Sequence, residues 1–143
     1  MLIHLLVDAE GMPASAVTAA ANADERKQAP HLLDGIEVKT GKRGRPAKKL
    51  GRIAADKGYD SEELRNFLRG RGIQPQIPRK KNAQQRRGRP VIINSPRFQV
   101  ERAFSRMQRK FRRLVVRWER QPCCFDSFLC LAVCFMWTQR IVG

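Results

Sequence analysis

The sequence predicts an α/β domain, and three observations carry that reading. Short apolar runs alternate along the chain with segments of helical periodicity, in the order strand, strand, helix, strand, helix, strand, helix, helix. Turn chemistry rich in Gly, Pro and Asp separates them. The chain has 143 residues, one domain or a piece of one, which is enough to bury a core.

Leu2 to Val7 is apolar apart from His4 and reads as a strand. Asp8 to Pro13 is a turn, with Gly11 free to take a positive φ, and Ala14 to Ala20 returns as the second arm of a hairpin. Asp24 to Ile36 reads as a short helix interrupted by Pro30. Arg52 to Asp56 is the third strand. A turn at Lys57-Gly58-Tyr59-Asp60 leads into a helix over Ser61 to Arg71, stopped near Gly70 or Gly72. Either Asp60 or Ser61 can cap that helix, and Glu63 stands where a capping box wants a carboxylate. Ile73, Pro75 and Ile77 alternate like an edge strand.

Ser95-Pro96 is a helix start. From there Val100, Phe104, Met107, Phe111, Leu114 and Trp118 step by four and three, the stripe of one long amphipathic helix. Pro122 breaks it. An apolar helix follows, with Phe128 to Trp137 uninterrupted, half the length of a membrane span and therefore read as buried. Cys123, Cys124, Cys130 and Cys134 lack zinc spacing, and Cys130 and Cys134, four apart in this helix, read as buried thiols in a reducing cytosol. The opening Met1-Leu2-Ile3-His4 runs straight into a strand, so no signal peptide is expected.

Charge narrows the function classes. The formal net charge is +16, with two Lys/Arg against five Asp/Glu in residues 1–36 and the other 27 and eight beyond, so the remainder carries +19. A load of that sign points to a polyanion, nucleic acid before an acidic membrane surface. Two basic segments, 41–52 and 79–90, concentrate it. Gly44-Arg45-Pro46 and Gly88-Arg89-Pro90 look like AT-hook cores, although Gly and Pro punctuation of two loops accounts for them more simply. A ribosome-associated basic protein is a weaker reading.

Two carboxylates stand out. Asp56 ends a predicted strand where it gives way to a helix, the rim at which open α/β sheets bind ligands. Glu101 is the single carboxylate between Glu63 and Glu119, on a cationic helix about 100° from the apolar stripe. Arg97, Gln108 and Arg112 share its side on that helix. An Arg97–Glu101 helical ion pair is the ordinary reading; a divalent-metal ligand is the functional one.

The stretches "HLLVDAEGMP", "ADKGYDSEELRNFLRGRGIQPQIPRKKN", "SPRFQVERAFSRMQRKFRRLVVRWE" and "FDSFLCLAVCFMW", in that order, resemble the transposases of insertion sequence family five. The resemblance spans nearly the whole chain. It implies a ribonuclease-H-like transposase/integrase fold whose chemistry rests on two aspartates and a glutamate with Mg2+ or Mn2+. Asp56 matches the second aspartate and Glu101 the glutamate, both as metal ligands. Arg97 and Glu101 fit the family's helix signature, while Asn94 and Gln108 replace its tyrosine and lysine, a departure that bears on the positioning of DNA ends. Lys80, Lys81, Arg97, Arg109 and Arg112 are the expected DNA contacts.

The resemblance places the first catalytic aspartate on a strand before Leu2–Val7. Asp8, near the hairpin turn, does not take that role. The expectation is therefore the carboxyl-terminal portion of a transposase catalytic domain over 1–143, incomplete at its first strand and inactive alone. Its expected partners are transposon-end and target DNA and an upstream or full-length transposase, with no membrane, in the bacterial cytoplasm. The alternative is a non-catalytic basic DNA-binding remnant that interferes with a full-length transposase.

Overall fold

The structure, a computed structural model, describes residues 1–36, 50–80 and 97–143. The order of elements is the expected one: β1 (Leu2–Val7), β2 (Pro13–Ala19), α1 (Glu25–Asp34), β3 (Arg52–Ala54), α2 (Glu62–Gly70), β4 (Gln74–Gln76), α3 (Arg97–Lys110) and α4 (Pro122–Val142). The chain divides into two compact units, one formed by Met1–Asn22 with Phe98–Gly143, the other by Ala23–Arg97. Each has its own two-stranded sheet.

In the first unit β1 and β2 pair antiparallel, Leu2 opposite Ala19 and Leu5 opposite Ala16, with an irregularity at Leu6/Val7. The turn between them closes through Asp8 N–H donating to the Met12 carbonyl at 2.9 Å, and Gly11 takes φ +79° as its position requires. Alanine there would meet the Gln99 side chain at 2.8 Å. Leu5, Met12, Ala103, Met107, Leu114, Phe125, Leu129, Ala132 and Met136 form the core of this unit.

Three expectations fail in this unit. The apolar stripe does not continue to Trp118: α3 ends at Lys110, Phe111 leaves the helical region, and a 3₁₀ turn covers Arg112–Leu114. That turn drops Leu114 into the core while Val115, Val116 and Trp118 face solvent, Trp118 at 78 % exposure. No Gly or Pro marks the break, so spacing alone could not locate it. Nor does Pro122 break that helix: it opens α4 at its first turn, where its missing N–H costs no ladder bond.

The third failure is α4 itself, which is buried along one face only. Phe125, Leu129, Ala132 and Met136 are buried, whereas Leu131, Phe135, Ile141 and all four cysteines are exposed. Its 21 residues make it the single helix among those described that is long and apolar enough to cross a membrane, by length and composition. The buried stripe at four-three-four spacing is the pattern of a helix packed on a core. Trp137 anchors it to β2, donating to the Pro13 carbonyl at 2.7 Å.

In the second unit α1 starts on the Asp24 side chain, which accepts from Arg26 N–H at 3.0 Å. Pro30 does not interrupt α1. The helix runs on to Asp34 with Leu32 and Leu33 buried, forgoing the one bond that Pro30 cannot donate. β3 and β4 pair in parallel, Ile53 opposite Pro75, and α2 supplies the crossover that parallel strands need. Gln74 donates to Gly51 and Gln76 accepts from Ala55, so Pro75 between them turns its donor-less nitrogen away from β3. Gly72 at φ +74° ends α2: its N–H bonds the Arg69 carbonyl and Ile73 N–H the Leu68 carbonyl, both at 2.9 Å. Leu68 and Ile73 are buried together with Leu64 and Ile77.

Candidate functional site

Asp56 lies just past β3, at the start of the 3₁₀ turn Lys57–Tyr59. Its carboxylate accepts from Lys57 N–H at 3.0 Å and its carbonyl from Tyr59 N–H at 3.0 Å. The strand is two residues shorter than expected, so Asp56 is a cap at the strand's carboxyl end and not its last residue. Its side chain is exposed. Half-buried Tyr59 stands close by: burial, then the charge of Glu25, then that of Asp56 hold its hydroxyl proton above the usual tyrosine range. Glu25, from the first turn of α1, thus shares the surroundings of Tyr59 with Asp56, a neighbour that no local pattern points to.

Ser61, not Asp60, caps α2, accepting from Leu64 N–H at 3.1 Å. Glu63 therefore falls one position short of the capping-box partner. Asp60 does something else. Its Oδ1 accepts from Arg65 at 2.8 and 2.9 Å and its Oδ2 from Lys80 N–H at 2.8 Å, while Arg65 also donates to the Ile77 carbonyl at 2.7 Å. Burial works against the Asp60 charge, but the Lys80 N–H, the Arg65 guanidinium and the Arg79 charge outweigh it and lower its pKa. This pair ties the start of α2 to the exit of β4, where the second basic segment begins.

Glu101 is exposed on α3, in the first unit, whereas Asp56 belongs to the second. Arg109 is exposed on the same helix and donates to Ser105 at 2.9 Å. Arg112 is exposed but lies in the 3₁₀ turn beyond α3, so it does not share a helical face with Glu101. Lys80 is exposed. The Arg97 side chain, Lys81, Asn94, the Ser95-Pro96 start and both Gly-Arg-Pro tripeptides lie outside the described residues. Asp8 serves the hairpin, its Oδ1 accepting from Glu10 N–H at 2.9 Å and Met12 N–H at 2.8 Å.

Exposed carboxylate oxygens are the donors a hard divalent cation takes, and magnesium takes one or two from protein. Asp56 and Glu101 fit in donor type. Among the described residues no group of three or more His, Cys, Asp or Glu comes together to hold a metal ion.

The family model described as "Transposase DDE domain" matches residues 1–122. The chain is 36% identical over 133 residues to a protein of Burkholderia cepacia named "Putative transposase for insertion sequence element IS402", covering 93% of this chain and 60% of that one. It is 34% identical over 116 residues to the "Transposase for insertion sequence element IS1106" of Neisseria meningitidis serogroup B, 76% of this chain and 36% of the relative. It is 28% identical over 140 residues to the "Putative transposase for insertion sequence element IS6501" of Brucella ovis, at 96% and 97%. The chain thus spans 60% and 36% of the first two relatives' length and nearly all of the third. No solved structure matches it significantly.

Proposed function

The chain belongs to the transposase DDE-domain family, and from that premise we propose that it acts in DNA transposition as a portion of a ribonuclease-H-like catalytic domain over 1–143. Asp56 and Glu101 are two of the carboxylates that hold the divalent ions, Mg2+ or Mn2+. The observation that carries this is the family match across residues 1–122, which takes in both. The position of Asp56, an exposed cap at the carboxyl end of β3, supports its role. A divalent ion held there supplies Lewis acidity toward a phosphoryl oxygen.

The residues of this chain do the rest. Asp56 and Glu101 bind the ions through carboxylate oxygens. Lys80, Lys81, Arg97, Arg109 and Arg112 take DNA phosphates, consistent with a net charge of +16. Among the described residues none is assigned the third carboxylate's role, and on this reading another transposase segment supplies it for cleavage and strand transfer. DNA is accordingly the partner in two senses, as element end and as target, with the nucleoid of a bacterial cytoplasm as the place.

The test joins the chain to those segments of its Burkholderia cepacia relative that it does not match, and follows magnesium-dependent cleavage at element ends. Asp56→Asn and Glu101→Gln should each lower cleavage by about 100-fold or more, the scale of several kcal/mol in the barrier. Cleavage kept by both amide variants would remove these two residues from the metal site.

A further inference from the structure

In the first unit an open cavity of about 210 Å³ lies where α3 and α4 pass the tip of the hairpin. Met12 and Met136, both buried, are among its walls, and Arg106, Lys110, Gln139 and Arg140 also line it. Arg106 and Lys110 are one helical turn apart on α3, so both project from one side of that helix. Arg140 comes from the last turn of α4. Three cations therefore converge on one concavity with apolar side chains behind them.

The charge there is only partly offset. Arg140 pairs with Glu10 from the hairpin turn, and Lys110 donates to the neutral Gln139 amide. Arg106 is half-buried and donates toward the Met12 sulfur at 4.0 Å, a contact that neutralises nothing. Among the described residues Glu10 is the one carboxylate paired at this rim, leaving an excess of two positive charges. An apolar wall strengthens the field of such a cluster, and a guanidinium fork matches a phosphate's oxygens. The cavity has room for a phosphate group and a few waters, at about 30 Å³ per water.

We propose that Arg106, Lys110 and Arg140 form a binding site for a backbone phosphate of duplex DNA. Arg106 is its anchoring fork, and Glu10 holds Arg140 in place at the rim. None of the three is among the contacts that the family signature suggests. The site rests on the DNA-transposition reading for its occupant, and on the chemistry of the cluster for its place.

The experiment measures the affinity of the full 143-residue chain for a labelled random-sequence duplex, by fluorescence anisotropy, across a range of KCl. Arg106→Gln/Lys110→Gln is compared with Arg26→Gln/Lys27→Gln, which removes the same charge from α1. The pocket variant should bind about tenfold more weakly at ~0.1 M salt, with a log–log salt slope shallower by about 0.9, one phosphate's share. Arg106→Lys, which keeps charge and fold, should retain the slope and lose affinity about threefold, as expected when a fork becomes a point charge.

Equal behaviour of the two double variants would overturn this site and leave the transposition reading standing. Failure of the wild-type chain to bind duplex would remove both. A 31P line-broadening of inorganic phosphate that depends on Arg106, with duplex affinity unchanged in the pocket variant, would make this a small-anion site and overturn the nucleic-acid occupant.

Discussion

Arg65 lies 2.8 Å from Asp60 within the second unit, the two side chains 3% and 8% exposed. They sit five residues apart, off the helical i, i+4 relation, because Asp60 precedes α2 and Arg65 lies inside it. The pair is completed by the Ile77 carbonyl and Lys80 N–H at the end of β4. A buried pair so satisfied fixes geometry more than it adds stability, but breaking it leaves a charge without a partner. Asp60→Ala is therefore expected to cost about 3 kcal/mol in urea unfolding.

The same carboxylate sets an acid limb. Its folded-state pKa is lowered, so it contributes stability that is present above the ordinary aspartate pKa and is lost as pH falls through the folded value. Urea midpoints measured downward from pH 6 should fall in acid, and less steeply for Asp60→Ala. Parallel acid limbs in the two proteins would take Asp60 out of the account.

Tyr59 gives a direct view of Asp56, because it is the sole tyrosine of the chain. Its ionisation, followed by ultraviolet difference absorbance, should occur above the usual tyrosine pKa of about 10. Glu25→Gln should bring it down, and Asp56→Asn should do so to a smaller degree, in the order of their influence. Stability tied to this proton is held up to the unfolded pKa and lost as pH rises through the folded one. A titration untouched by Asp56→Asn would place that carboxylate away from Tyr59.

The end of α3 can be read by fluorescence from the two tryptophans. Trp118, 78% exposed, should emit as an indole in water and be quenched by iodide. Trp137, bonded to Pro13, should be shielded in part. Trp137→Phe should also cost about 1–2 kcal/mol, leaving the Pro13 carbonyl without its donor. A protected Trp118 would restore the long helix that its spacing suggests.

The sequence by itself determined the order and kind of the elements, because those follow from local chemistry. The apolar run Leu2–Val7, the Gly11 turn and the Gly72 stop act within a few residues, and they act as written. It also determined the family, through motifs whose order survives without coordinates, and with it the candidacy of Asp56 and Glu101. Only the tertiary structure decided what competing local signals come to. Ser61 and Asp60 can both cap α2, and the choice fell to Ser61 because Arg65 and Lys80 claim Asp60 from across the unit. Nothing near Phe111 forbids helix, and α3 stops there because Leu114 gains burial in the core by turning inward, which leaves Trp118 in solvent. The convergence of Arg106, Lys110 and Arg140 had no sequence signal either. Two come from one helix and the third from another, and side chains separated by thirty residues meet only when packing brings their helices together.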